Sequence, residues 1–443
     1  MCIVLLTTAH PDYALIVIDN RDEFILRPTS RPHWWTPGKS SAVTPNGTLR
    51  GTPSSDTPSN GTPASGTPAP SASLAPPHPD PATTHKILSS RDLQRDEHGT
   101  WIGITTAGHF AVLTNFREDT PNDAAHPIHG QRSRGGMVTA WLTADRDETT
   151  DEFVERMLSG PGVKGVGGFS LICGKLRKNL FDAAAAAAAD GERRGRATKG
   201  LAVVSNRVDQ VAQVPWIAGR RGEVYGLSNT SYDDPDVWPK VRDGKEALRQ
   251  LAEDEARARA QAHVQADAER NAEAEQAVEA LAGAGVRQPA ELRDALFSIL
   301  DRDTLPQRPD LSFEEQIALL KHSVFIPPIG DQAHRASMNK AVAGGPRLCA
   351  ASVDDEQGVD SLAETPAAPL SAEASLASEE RPDQQTLGFM TGMYGTQRQT
   401  VILVDWKGNV SYTERALWDA NGNPIPRGEG DVHFDFQIEG WEE

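Results

Sequence analysis

Cysteine at position 2, with an Arg21-Asp22 pair a short way along the chain, is the combination in this sequence best suited to covalent chemistry. Removal of Met1 would leave Cys2 carrying both a thiol and a free α-amine. An α-amine titrates near pH ~8 and a thiol near ~8.5, so the amine can take the thiol proton at neutral pH as sulfur attacks. A guanidinium beside the sulfur would favour the thiolate, and Asp22 could orient the ammonium or the guanidinium. The same residues also read as a small buried cysteine beside an edge-strand ion pair, since free cysteine is commonly a core residue.

The elements that must position these groups are short β-branched runs. Ile3-Val4-Leu5-Leu6 and Ala14-Leu15-Ile16-Val17-Ile18 flank the turn-like His10-Pro11-Asp12 and predict a buried hairpin. Pairing in that hairpin carries Arg21, at the end of the second strand, back toward Cys2. A second hairpin is predicted over 99–105 and 109–115, joined at Ala107-Gly108. Further strands are expected over 165–174, 201–204, 210–214, 223–227, 393–405, 409–414 and 433–437. Helices are expected over 151–158 and over 291–300, where Leu292, Leu296, Phe297 and Leu300 form one stripe. Residues 245–282, rich in Ala, Glu, Arg and Gln, predict a long helix that is largely solvated.

Three stretches depart from this pattern. Residues 38–84 are dominated by Ser, Thr, Pro, Gly and Ala, residues 183–199 begin in an alanine run and turn basic, and residues 341–385 are acidic and rich in Ala, Ser and Pro. Segments of this kind bury too little apolar surface to offset their ordering entropy, and 38–84 and 341–385 are read as disordered insertions. They read either as interaction or phosphorylation tails or as tolerated surface loops. The remainder is expected to form a single domain over 1–443.

With 62 acidic against 44 basic side chains, the formal charge of -18 has the wrong sign for attraction to nucleic acid. No run approaches the roughly 20 apolar residues of a membrane span. Three cysteines, Cys2, Cys173 and Cys349, far apart and outside CxxC spacing, suggest neither a disulfide framework nor a zinc site, and fit a reducing, cytoplasmic setting. The apolar start lacks a basic n-region and a cleavage site, so no signal peptide is expected.

Met1-Cys2-Ile3 and Asn20-Arg21-Asp22-Glu23 resemble the NRDE family, also called the transport and Golgi organisation 2 family. Thr100-Trp101-Ile102-Gly103, Leu113-Thr114-Asn115, Arg132-Ser133-Arg134-Gly135, Gly168-Phe169, Tyr225-Gly226-Leu227-Ser228-Asn229, Trp238-Pro239-Lys240-Val241, Ser323-Val324-Phe325-Ile326 and Tyr394-Gly395-Thr396 follow in the family's order. Tyr225 stands where the family usually has histidine. The family in turn is similar to the cysteine branch of the N-terminal nucleophile hydrolases. That resemblance implies an α+β fold of αββα sandwich type, with Cys2 as nucleophile and Arg21, Asp22, Asn115, Asn229 and Arg398 completing the site. Asparagine amides and backbone N–H groups could serve a developing oxyanion, although asparagine is equally a turn residue at strand ends and Arg398 equally a solvated strand residue.

Two functions from different classes follow. One is a cysteine amide hydrolase acting on a small or acylated substrate and requiring no cofactor. The other is a non-catalytic carrier of haem or a lipid-linked cargo in the same pocket, the resemblance implying roles in Golgi organisation, secretion and haem handling, with Golgi or mitochondrial association. For haem, Cys2, His10 or His109 would be the axial ligand, or the histidines are simply hydrogen-bonded structure.

Overall fold

The computed structural model describes residues 2–37, 85–95, 97–117, 132–160, 162–181, 199–268, 285–308, 310–344 and 392–442. Met1, Cys349, residues 38–84, 183–198 and 345–385, and residues 269–282 of the expected long helix lie outside them.

The strands are β1 (Ile3–Thr7), β2 (Tyr13–Phe24), β3 (His33–Trp35), β4 (Ile87–Ser89), β5 (Ile102–Thr105), β6 (His109–Asn115), β7 (Phe169–Lys175), β8 (Leu201–Ser205), β9 (Trp216–Ile217), β10 (Val224–Leu227), β11 (Tyr394–Asp405), β12 (Asn409–Ala416) and β13 (Asp431–Gln437). They form two antiparallel sheets, one ordered β10-β1-β2-β11-β12-β13 and the other β3-β4-β5-β6-β7-β8-β9. The helices among the described residues are α1 (Gly135–Leu142), α2 (Thr150–Ser159), α3 (Lys178–Phe181), α4 (Pro239–Ala268), α5 (Pro289–Leu300), α6 (Phe313–Leu319) and α7 (Gln332–Ala343). The protein is α+β.

Strand alternation sorts the apolar side chains into three layers, because successive residues point to opposite faces of a sheet. Val4, Leu6, Leu15 and Val17 meet Ile104, Phe110, Val112 and Ile172 between the two sheets. Ile3, Leu5, Ile16 and Ile18 face the opposite way, onto Val241 and Leu248 of α4 and Leu292, Leu296 and Phe297 of α5. Ala111, Leu113, Leu171 and Cys173 turn outward from the other sheet onto α1 and α2. Because both faces of each sheet are covered, the central strands are buried almost throughout.

The expected hairpins form as β1–β2 and β5–β6, in register Ile3 to Asn20 and Ile102 to Val112. The expected strand over 210–214 does not: Val211–Gln213 is a 3-10 turn leading into the short β9. The long helix differs more. It begins at Pro239, and over its described side chains it is not solvated all round, since Val241, Leu248, Ala252, Ala258 and Ala262 are buried. Small residues let it lie close to the sheet; a Cβ added to Gly244 would stand 2.7 Å from Leu5 Cδ1.

Candidate active site

Cys2 lies one step beyond the Ile3–Asn20 pair, which sets it opposite Arg21 across the β1–β2 ladder. The cysteine is 8% exposed, and its Sγ stands 3.9 Å from the Asp22 carbonyl, a weak S–H contact. The Arg21 guanidinium lies 4.4 Å from the ring centroid of Trp101 and donates to Gln397 Oε1. A bulge between Thr396 and Arg398 keeps Arg398 opposite Arg21 on the next strand. Arg398 is buried and donates to Thr29 Oγ1 at 3.1 Å.

Asp22 faces the helical layer. Its Oδ1 accepts from Thr396 Oγ1 at 2.7 Å, and its backbone carbonyl accepts from Tyr394 Oη at 2.9 Å. Beneath it lies Lys240, the second residue of α4. The Lys240 ammonium is 4.0 Å from Asp22 Oδ2, both side chains being wholly inaccessible to solvent, and donates to the Cys2 carbonyl at 3.4 Å. Ser228 Oγ donates to the same carbonyl at 2.7 Å.

The two expected asparagines meet at this end of the sheets. Asn229 follows β10 and donates from Nδ2 to the carbonyl of Asn115, the last residue of β6, at 2.5 Å. Asn229 Oδ1 accepts from Ser228 Oγ at 3.2 Å, which links the asparagine pair to the Cys2 carbonyl. One Asn229 amide hydrogen is therefore committed to Asn115. The structure thus brings Cys2, Arg21, Asp22, Asn115, Asn229 and Arg398 to one end of the molecule.

The electrostatics differ from the expectation for the thiol. Burial pushes the Cys2 thiol up to about 11, and the Asp22 and Asp19 carboxylates add to the rise. Burial outweighs the influences that lower it, the terminal ammonium and the Asp22 backbone contact, so the resting thiol is neutral. Burial likewise raises the Asp22 carboxyl, opposed by Lys240 and Thr396, and lowers the Lys240 ammonium, opposed by Asp22, Cys2 and Asp19. Asp19 stands well above the carboxylate range through burial and the charges of Asp22 and Glu414. Its Oδ2 has no hydrogen-bond partner among the described residues. Both Glu414 carboxylate oxygens accept from Ser90 Oγ at 2.8 Å.

Lys240, Ser228, Thr396, Asp19 and Glu414 were not among the expected site residues. Lys240, Ser228 and Thr396 each stand in one of the family blocks of the sequence, the signal that could have marked them; Asp19 and Glu414 bear on the site only through strand register.

The two expected haem-ligand histidines lie elsewhere. His10 borders a 170 Å³ cavity with Asp12, Tyr13 and Arg259 at the opposite end of the β1–β2 hairpin. His109 is wholly buried, its ring 4.4 Å from that of Trp141 and 5.2 Å from that of His85. A larger cavity of about 410 Å³, lined in part by Ser170, Ser205, Arg207, Tyr232 and Asp233, lies along the loop that continues from Asn229. Among the described residues no cluster of three or more His, Cys, Asp or Glu side chains could hold a metal ion. No helix among them is long and apolar enough to cross a membrane.

Two antiparallel sheets with helices outside and a buried cysteine, aspartate and lysine at one sheet end define an α+β protein with a buried polar site at the start of β1. The chain belongs to the Transport and Golgi organisation 2 family, whose model matches residues 1–52 and 75–419. It is similar to an uncharacterised protein of Saccharomyces cerevisiae, 26% identical over 188 residues, covering 41% of this chain and 44% of that protein. It is also similar to the Transport and Golgi organization protein 2 homologs of Bos taurus and Homo sapiens, each 28% identical over 172 residues. These matches cover 39% and 38% of this chain and 50% and 49% of those proteins. The matched stretch thus spans about half the length of these relatives or less.

Proposed function

We propose that this chain is a cysteine amide hydrolase of the N-terminal nucleophile class, built as an αββα sandwich and acting in Golgi organisation and transport. The observation that carries the reading is the convergence of Cys2, Arg21, Asp22 and the Asn115–Asn229 pair at one end of both sheets. The relatives' names supply the Golgi and transport context, and a cytoplasmic chain associated with the Golgi fits it.

Because burial raises the Cys2 thiol to about 11, attack at neutral pH needs a base at the moment of bond formation. The α-amine freed by loss of Met1 is that base. Sγ bonds to the substrate carbonyl carbon while the thiol proton passes to the amine. The C–N bond then breaks, and the leaving nitrogen takes that proton. The resulting thioester reacts with water to give the free acid and the regenerated thiol. Asn229 and neighbouring backbone N–H groups stabilise the oxyanion, Asp22 orients the terminal ammonium, and the paired arginines hold the cleft positive. No cofactor takes part.

The test is intact mass of the native chain together with hydrolysis of a panel of N-acyl amides. A mature chain beginning at Cys2, with activity abolished by Cys2→Ser, supports the mechanism; retention of Met1 defeats it.

The second reading is a non-catalytic carrier of haem or a lipid-linked molecule, and the resting neutral thiol favours it. Retention of trafficking function in Cys2→Ser, with no hydrolysis by the parent chain, would establish the carrier instead.

A further inference from the structure

We propose that Lys240 is a positioning residue of the Cys2 site, a clamp that fixes the cysteine carbonyl and the Asp22 carboxylate from the helical layer. This deepens the nucleophile reading and rests on it.

Three observations converge on Lys240. It is fully buried, although an isolated ammonium is among the costliest groups to remove from water. It also sits in the first turn of the long helix α4, where the positive end of the helix dipole disfavours a cation. Helix stability does not account for a lysine there. Two groups that offset these costs belong to the site, the Cys2 carbonyl at 3.4 Å and Asp22 Oδ2 at 4.0 Å, and the Trp238 ring centroid lies 5.8 Å from the ammonium. Pro239 opens the helix, its fixed φ suiting the first helical position, and Val241 packs in the layer beneath β1. The Trp238-Pro239-Lys240-Val241 block therefore aims one ammonium at the start of β1.

The chemistry needs such a clamp. A chain that begins at Cys2 has no preceding peptide to hold its first residue, and first residues fray unless tied down. Nucleophilic attack requires the sulfur to stay within a few tenths of an ångström of its productive position. Two donors grip the Cys2 carbonyl, Ser228 Oγ from one side and Lys240 Nζ from the helical layer. Lys240 also reaches Asp22, whose own carbonyl contacts Sγ, so one ammonium ties both strands of the hairpin at the sulfur.

The experiment follows alkylation of Cys2 by iodoacetamide against pH, site by site by mass spectrometry, in the full chain and in Lys240→Met and Lys240→Arg. The methionine variant keeps side-chain length and removes the charge. The expected result is a rise of about one unit in the midpoint of the Cys2 profile, or roughly tenfold slower alkylation at pH 8, with partial rescue by arginine. Cys173 in the same molecules supplies the internal reference. An unchanged Cys2 profile in a folded Lys240→Met protein overturns the clamp and leaves the nucleophile reading standing. A parent protein whose Cys2 reacts no faster than Cys173 overturns both. Should Lys240→Met fail to fold, the double variant Asp22→Asn with Lys240→Met removes both charges and restores balance. Its Cys2 profile must then differ from that of Asp22→Asn alone, and identity of the two overturns the proposal.

Discussion

Helix α4 makes an ion pair with each end of the β1–β2 hairpin, and the two could hardly be less alike. At the start of the helix Lys240 faces Asp22, with both side chains wholly buried. Further along, Arg259 pairs with Asp12 in the hairpin turn, with side chains 29% and 38% exposed. The distal pair has water to share its charge and fastens a loop. The proximal pair has none, and its ionisation is coupled to a thiol and a second carboxylate. One helix and one hairpin thus carry a surface staple and a buried charged site, and burial separates the roles.

The largest effect expected concerns the two buried thiols. Cys173 faces Ala111 and Ala202 on its neighbouring strands, and burial alone raises it above Cys2. Cys2 should alkylate at least ~100-fold faster at pH 8, through its lower pKa and partial exposure. Equal rates would erase the distinction between a charged sheet end and an ordinary core position.

The next effect is on stability. Asp22→Ala leaves Lys240 buried without its carboxylate and should cost about 3–5 kcal/mol in denaturant unfolding, the range for breaking a buried pair. Asp22→Asn, which keeps an acceptor for Thr396, should cost less. A loss below about 1 kcal/mol in Asp22→Ala would mean that Lys240 rests neutral and that the proximal pair is no pair.

The comparison also shows where the sequence was readable. β-Branched runs announced β1, β2, β6 and β11, and the stripe Leu292, Leu296, Phe297, Leu300 announced α5, because large apolar residues carry the period. The start of α4 was hidden. Its buried face is built from Gly244, Ala252, Ala258 and Ala262 beside a few larger residues, so the helix reads as solvated although its first turns lie on the sheet and Ala258 and Ala262 pack with Val286. Helix α1 was hidden by its opening Gly135-Gly136. Of the site, the Cys2–Arg21 approach followed from hairpin pairing, whereas Asn115, Asn229 and Arg398 came only from the family resemblance. Lys240 required knowing where α4 begins, and Asp19 and Glu414 required the register of β2 against β11 and β12. The low thiol pKa expected from Arg21 failed for a similar reason, since burial is a property of the assembled layers.

At the distal end the pH dependence should come from His10. Burial lowers it from 6.5 to about 4, and its Nδ1 accepts from the Asp12 N–H at 3.1 Å, so the folded protein holds it neutral. A histidine depressed in the fold contributes stability that is complete above the unfolded value near 6.5 and is lost as pH falls toward 4. The loss should approach ~1.4 kcal/mol per pH unit within that window. His109, lowered to about 3 by burial, adds a second proton over an overlapping range. Replacing His10 by Asn should flatten the slope by up to one proton without changing Cys2 alkylation; a coupled change in the thiol would tie the two ends together.

The smallest effect is the sharpest control. Asp12→Ala removes the carboxylate from Arg259, the same chemical change as Asp22→Ala on the same hairpin, yet both groups remain in contact with water. An exposed pair of this kind contributes roughly 0.2–1 kcal/mol, and salt screens it. The loss on Asp12→Ala should therefore shrink further when denaturation is repeated in about 1 M salt, where the Debye length falls to ~3 Å. The loss on Asp22→Ala should persist, because no counter-ion reaches Lys240. Equal salt sensitivity at the two positions would show that solvent enters the proximal site as freely as the distal one, and the case for a buried, function-bearing pair would fall with it.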